Sequence, residues 1–459
     1  MKNMTLENIA KACGGIYIGS NELRSLKIKG VVTDSRQVEK DYLFIPIKGA
    51  RVDGHNFIPK VIEQGAAAVL SEKELTDCKT PYILVKSGEQ ALKDIAEFYR
   101  EQLTIPIVGI TGSVGKTSTK EMIASVLSQK FQVLKTAGNF NNEIGLPLTL
   151  LRIRKEHEAA VVEMGISDFG EMHRLAKMAK PDICVMTNIG ICHLENLKTR
   201  DGILKAKSEI FDFLKPDGHI VLNGGDDKLA TVEEIKGVVP VYYAAEGESR
   251  RETVDIIASN IQNLGLKGME ARLHTPKGEC KVHIPIPGKH NIYNAMAAAG
   301  AGLALGLTLD EIKAGIESVE TIGGRTNLLD ISGMVIIDDC YNANPVSMRA
   351  SIDVLKNGLG RTVAVLGDMG ELGENEKQLH YEVGQYVSEN KIDALFCAGT
   401  LSKEMAEGAK NGGNSQVFYF ETRDEMLPEL LKYLKEGDTV LVKASHFMDY
   451  TKIIEAIRN

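Results

Sequence analysis

Short β-branched runs and longer segments of helical period take turns along this chain, the signature of an α/β protein. The first 102 residues predict a small module. It has a helix over Leu6 to Cys13, strands at Ile16, Ile28 to Val32 and Tyr42 to Pro46, a helix near Phe57 to Gln64, and strands at Ala67 to Leu70 and Tyr82 to Val85. From Thr104 the alternation becomes regular. A strand to Ile110 leads into a helix from Lys116 to about Gln129; strands at Ala159 to Met164 and Ile183 to Thr187 precede a helix over Ile203 to Leu214. Residues 219–288 turn to β alternation around a Pro-Lys-Gly turn, and an alanine-rich helix then runs to Leu305. Beyond the loop Thr321 to Arg325, strands at Met334 to Asp338, Thr362 to Leu366, Ala394 to Ala398, Val417 to Phe420 and Thr439 to Val442 alternate with helices, a doubly wound, Rossmann-like pattern. Three α/β domains follow, at 1–102, 103–325 and 326–459, as expected for 459 residues.

A formal charge of −8 gives no reason to expect nucleic acid or a membrane surface as partner. Seven cysteines without a CxxC pair suggest neither a disulfide framework nor a zinc knuckle. The opening residues carry Glu7 and no sustained apolar core, and no run reaches the ~18 apolar residues of a membrane span. A cytoplasmic monomer is the expectation.

The densest chemistry lies at Gly109-Ile110-Thr111-Gly112-Ser113-Val114-Gly115-Lys116-Thr117-Ser118, where a strand turns into a helix. Glycines let backbone amides curl around an anion, the helix N-terminus adds partial positive charge, Lys116 supplies a mobile cation and the Thr117 hydroxyl suits Mg²⁺. Ile110 stands where the strict GxxxxGK[ST] pattern has its first glycine. The strand-to-helix context still assigns nucleotide binding to Thr111 through Ser118.

Other clusters leave two readings open. Thr33-Asp34-Ser35-Arg36 and Arg51-Val52-Asp53-Gly54-His55-Asn56-Phe57 suit a polar ligand such as a sugar nucleotide, or are Asx-type turns. Asn139, Asn141 and Asn142 crowd one turn, as a binding loop or a polar connector. Glu163 ends a strand at the crevice edge, a candidate metal carboxylate. His193 at the same rim is a surface histidine or a ligand for Mg²⁺ or Mn²⁺. Lys205 and Lys207 neutralise phosphate or coat a solvated helix. His290, Asn291 and Asn294 face a nucleotide base or cap their helix. In the last domain, Asp338 to Pro345, Gly367 to Leu372 and Lys443-Ala444-Ser445-His446 share one carboxyl edge, and no GxGxxG follows its first strand.

These motifs resemble the Mur ligase family, the ATP-dependent amide-bond ligases of bacterial peptidoglycan precursor synthesis. The resemblance rests on Thr111 to Thr117, Gly138 to Asn142, Glu163, His193, Lys207, His290 to Asn294 and Gly324-Arg325. The runs Asp339 to Met348 and Leu366 to Gly373 are similar to those of the family member that adds D-alanyl-D-alanine to UDP-N-acetylmuramoyl-tripeptide. A diamino-acid-adding ligase or a folylpolyglutamate-synthase-like ligase would share the central segment. The resemblance implies a first domain holding the UDP-sugar through Ser35, Arg36 and Asp53 to Phe57. It implies a central ATPase with Mg²⁺ on Thr117, Glu163, His193 and a carbamylated Lys207. It further implies a closing domain, so that Arg325 at the junction and Asp339 and Asn344 on that domain meet the nucleotide. His446 departs from the family's usual arginine.

Overall fold

The structure, a computed structural model, describes residues 1–49 and 52–458, with only the backbone of Leu194. Arg51, which opened one of the polar clusters, lies outside the described residues. Three sheets divide the chain. The first has five strands in the order Ile16–Ile18, Tyr82–Leu84, Ala68–Ser71, Tyr42–Phe44 and Gly30–Val32, parallel except for the first.

The second sheet has nine strands, and the strand Ile107–Thr111 lies between Ala159–Glu163 and Ile183–Met186, parallel to both. The chain leaves Ile107–Thr111 toward one side and later returns on the other. That reversal opens a crevice beyond the strands' carboxyl ends, where open α/β sheets take ligands. Beyond Val241–Ala245 the sheet runs on into Ile256–Asn263 and the antiparallel hairpin Met269–Thr275 and Gly278–Ile284.

The third sheet is parallel over Met334–Asp338, Thr439–Lys443, Thr362–Gly367, Ala394–Ala398 and Gln416–Phe420, as the pattern predicts. An additional strand, Asn327–Ile331, pairs antiparallel with Met334–Asp338. The two-residue loop Ser332-Gly333 has φ of 51° and 72°, the twist that joins hairpin strands.

Short or capped elements escaped the pattern. The helix expected over Ile203 to Leu214 instead spans Arg200–Ser208 and a tighter turn Glu209–Phe211, because the Thr199 hydroxyl accepts from the Gly202 amide at 3.0 Å and starts it early. Gly88–Arg100 is a 13-residue helix whose apolar stripe packs on the second module. One continuous core thereby joins the first two modules, with Ile95 and Tyr99 among the same buried residues as Leu150, Ile153 and Leu175. The third module keeps its own cores on either face of its sheet.

Candidate active site

The loop after Ile107–Thr111 is laced to the end of its neighbour strand. The Val114 amide donates to Asn188 Oδ1 at 2.9 Å, and the Asn188 side-chain amide and the Thr187 hydroxyl donate to the Val114 carbonyl at 2.9 and 2.8 Å. Gly112 has φ of 152°, and a Cβ there would sit 2.0 Å from the Thr187 hydroxyl oxygen, so only glycine fits. Gly115, at φ of 83°, starts the helix Lys116–Leu127. Residues Ser113 to Ser118 line the cleft, with Lys116 Nζ 2.9 Å from the Gly112 carbonyl. Thr111 is wholly buried and, with Gly112, lies beneath the cleft and does not line it. In this structure both residues shape the loop from beneath.

Glu163 is 2 % exposed and accepts from the Thr117 hydroxyl at 2.9 Å and from Asn141 at 2.8 Å. Asn142 lines the cleft and accepts from the Gly145 amide at 2.9 Å, while Asn139 points to solvent away from it. His193 lines the cleft too, its Nδ1 2.9 Å from Glu371 of the third module. Lys207 is 1 % exposed and stands behind this rim, without an ion-pair partner among the described residues; its neighbour Lys205 is exposed. Burial, and then the Lys116 charge, bring the Lys207 ammonium down to about 7.

The donor set suits a hard divalent ion in part. Thr117 and Glu163 converge, yet no group of three histidine, cysteine, aspartate or glutamate side chains clusters as a metal site among the described residues. Coordination would need to be completed by nucleotide phosphate or by a carboxylate formed on Lys207.

The third module supplies the opposite wall. Lys443 and Asp339 form a buried ion pair at 2.6 Å, and Asp339 also accepts from the Ser351 hydroxyl at 2.5 Å and from the Thr326 amide at 3.0 Å. The preceding residue, Arg325, therefore hangs from a fixed anchor. Its guanidinium stacks 4.0 Å over Tyr341 and reaches the Thr117 hydroxyl at 3.3 Å. Asn344 caps the helix Pro345–Leu355 through the Ser347 amide at 2.8 Å and lines the cleft. His446 is exposed and packs on the far side of Tyr341, with ring centres 5.6 Å apart.

Other expected site residues are engaged within the chain itself. Asn291 and Asn294 neither cap their helix, whose first residue follows an uncapped Lys289, nor present free amides. Asn291 donates to the Pro287 carbonyl, and Asn294 joins Asn291 to the Thr119 hydroxyl at 2.9 and 2.8 Å, tying two helices together. Of His290, Asn291 and Asn294, the first and last line the cleft, together with Lys289 and Tyr293. In the first module, Asp34 accepts from the Arg36 amide and guanidinium, and Asp53 from the His55 amide and ring. Both are Asx-type turns that open short 3₁₀ helices, with Ser35 buried, and neither Arg36 nor Asp53 to Phe57 lines the cleft. Asn188, Lys443, Tyr341 and Glu371 were not singled out individually. All stand at strand ends or on turns of the same carboxyl edges, which was the signal available for them.

These walls enclose about 950 Å³, ample for a nucleotide with a second substrate. Family models match most of the chain: the Mur ligase family catalytic domain over residues 27–100, the Mur ligase middle domain over 110–302 and the Mur ligase glutamate ligase domain over 324–446. The chain is 38 % identical to the UDP-N-acetylmuramoyl-tripeptide--D-alanyl-D-alanine ligase of Bacillus subtilis, covering 99 % of this chain and 98 % of that one. It is 33 % identical to its Escherichia coli counterpart, over 100 % and 99 %. A crystal structure of MurF from Acinetobacter baumannii superimposes with a TM-score of 0.89 at 34 % identity over 99 % and 98 % of the two chains. MurF ligase from Thermotoga maritima in complex with ADP does so with 0.81 at 28 %, over 94 % and 97 %. The chain belongs to the Mur ligase family.

Proposed function

We infer that this chain is an ATP-dependent ligase joining D-alanyl-D-alanine to UDP-N-acetylmuramoyl-tripeptide. The full-length relatives bear that activity in their names. The observation that carries the reading is the convergence of Lys116, the Thr117–Glu163 pair and Arg325 on one cleft walled by two modules.

Amide formation from a carboxylate is uphill until one oxygen becomes a good leaving group. In the proposed reaction the peptide carboxylate attacks the terminal phosphorus of ATP, ADP leaves, and an acyl phosphate results. The dipeptide amine then adds to the acyl carbon, the tetrahedral adduct expels inorganic phosphate, and the amine proton passes to solvent or a neighbouring base. Lys116 and Arg325 offset the charge that gathers on the transferring group, the principal task in phosphoryl transfer. Mg²⁺, when bound, would neutralise phosphate charge, with Thr117 and Glu163 as its ligands and His193 and a carbamylated Lys207 completing the site. A lysine amine brought to about 7 is largely neutral just above that pH, as attack on CO₂ requires. Closure of the third module shields the acyl phosphate from water. We place the enzyme in the cytoplasm, a reading supported by the seven free cysteines and by the lack of any helix, among the described residues, long and apolar enough to cross a membrane.

Phosphate release measured with the UDP-tripeptide, with and without D-alanyl-D-alanine, tests the function. Release dependent on the dipeptide is expected, and release indifferent to it would exclude a ligase. For the carbamate, Lys207→Ala should lose activity and regain part of it with a short-chain carboxylic acid.

A further inference from the structure

The turn Met369-Gly370-Glu371-Leu372 closes the third module's strand Thr362–Gly367 and is held from beneath. The Met369 amide donates to His380 Nε2 at 2.8 Å, the Gly370 amide to the Ser445 hydroxyl at 2.9 Å, and Leu372 is buried. Only Glu371 leaves this anchored turn. Its backbone adopts φ of 61°, a left-handed conformation uncommon for a residue with a side chain. Its side chain is 71 % exposed, and its carboxylate meets His193 Nδ1 of the second module at 2.9 Å.

A contact this exposed between a carboxylate and a ring that burial keeps neutral contributes little to stability, so holding the fold together does not explain it. What the contact does fix is the imidazole. A carboxylate at Nδ1 accepts that nitrogen's hydrogen, which leaves Nε2 with its lone pair free and directs it into the cleft that His193 lines. Partners of this kind set the tautomer and raise the basicity of metal-binding histidines. The partner here comes from a different module than the histidine it orients.

We propose that Glu371 is a positioning residue that orients His193 for the divalent cation, so that approach of the third module and cation binding favour each other. The proposal rests on the ligase reading only in taking His193 as a cation ligand. Because coupling between two events is reciprocal, a cation bound through an oriented His193 draws the third module inward, and an approached third module tightens the cation.

The experiment uses the full chain and two variants, Glu371→Gln and Glu371→Asp, with Mn²⁺ as the probe. Mn²⁺ affinity is read by electron paramagnetic resonance in the presence of a non-hydrolysable ATP analogue. The separation between the second and third modules is followed by a fluorophore pair on exposed surface positions. In the parent chain Mn²⁺ should shorten that separation. Glu371→Gln should weaken Mn²⁺ binding about ten- to a hundredfold and abolish the shortening, with an unchanged thermal midpoint, and Glu371→Asp should restore part of both. Unchanged Mn²⁺ affinity in Glu371→Gln would overturn the proposal, as would a shortening that persists in it. Dipeptide-dependent phosphate release by the parent chain is measured alongside. If that release is present while Mn²⁺ binds both forms alike, the positioning role fails and the ligase stands; if it is absent, the ligase reading itself fails.

Discussion

The two junctions between modules differ in how much apolar surface they share. Where the first module meets the second, Ile95 and Tyr99 enter the core shared with Leu150 and Ile153, and Arg100, only 4 % exposed, donates to the carbonyls of Ala179 and Lys180 and to Asp182. Where the second meets the third, Leu266 alone of the second module packs at the edge of the third module's core among the described hydrophobic clusters, and the contacts beside the site are polar: Arg325 to Thr117 and Glu371 to His193. Separating apolar surfaces exposes them to water at full cost, whereas a polar contact can be traded for water or ligand with little net change. The first junction is therefore a weld, and the second is suited to open and close around substrates. The site sits at the second because a reaction that must admit two substrates and then exclude water needs a wall that moves.

The largest effect should come from emptying the moving junction of its cation. Lys116→Ala is expected to lower dipeptide-dependent phosphate release about 10²- to 10³-fold while leaving the thermal midpoint in place. A loss below tenfold would mean that the loop lysine does not touch the transferring group.

The weld should fail through stability. Tyr99 is 1 % exposed and its hydroxyl donates to the Ile153 carbonyl at 2.6 Å, so Tyr99→Ala should cost up to about 5 kcal/mol. Hydrogen exchange should show the first and second modules loosening together and the third unaffected. Independent loosening of the first module would break the comparison.

On the other side of the cleft, Lys443→Met strands the Asp339 carboxylate with its hydroxyl and amide donors but no cation. A destabilisation of about 3 kcal/mol, seen as exchange confined to the third module and the Arg325 loop, is expected. The smallest effect belongs to the outer edge of the weld. Arg36 is exposed and bonded only to Asp34, so Arg36→Ala should leave the melting curve unchanged. If the UDP-sugar docks there, KM for that substrate rises about tenfold with kcat untouched, the loss of one charge-assisted hydrogen bond. An unchanged KM would make the turn purely structural.

Much of this architecture was legible in the residues. The five parallel strands of the third sheet and the loop from Ser113 to Ser118 were readable because each depends on neighbours in sequence: a β-branched run, or glycines ahead of a helix start. The helix Gly88–Arg100 went unread, although its stripe is regular, and its role as the weld is visible only against Leu150 and Leu175. Asn291 and Asn294 invited two local readings, base contact or cap, and the helix Lys116–Leu127 decided against both by supplying Thr119 as a partner.

The sequence by itself determined the alternating α/β elements, the anion-binding loop and the family to which the chain belongs, since these reside in local spacing and in residues that stand next to one another. The tertiary structure alone decided which module is fused and which can move, because that depends on whether facing surfaces are apolar or polar. It also decided that Arg325 meets Thr117 across 208 residues of chain, a contact that exists only when a strand end, a hairpin and a buried Lys443–Asp339 pair fix one wall against the other.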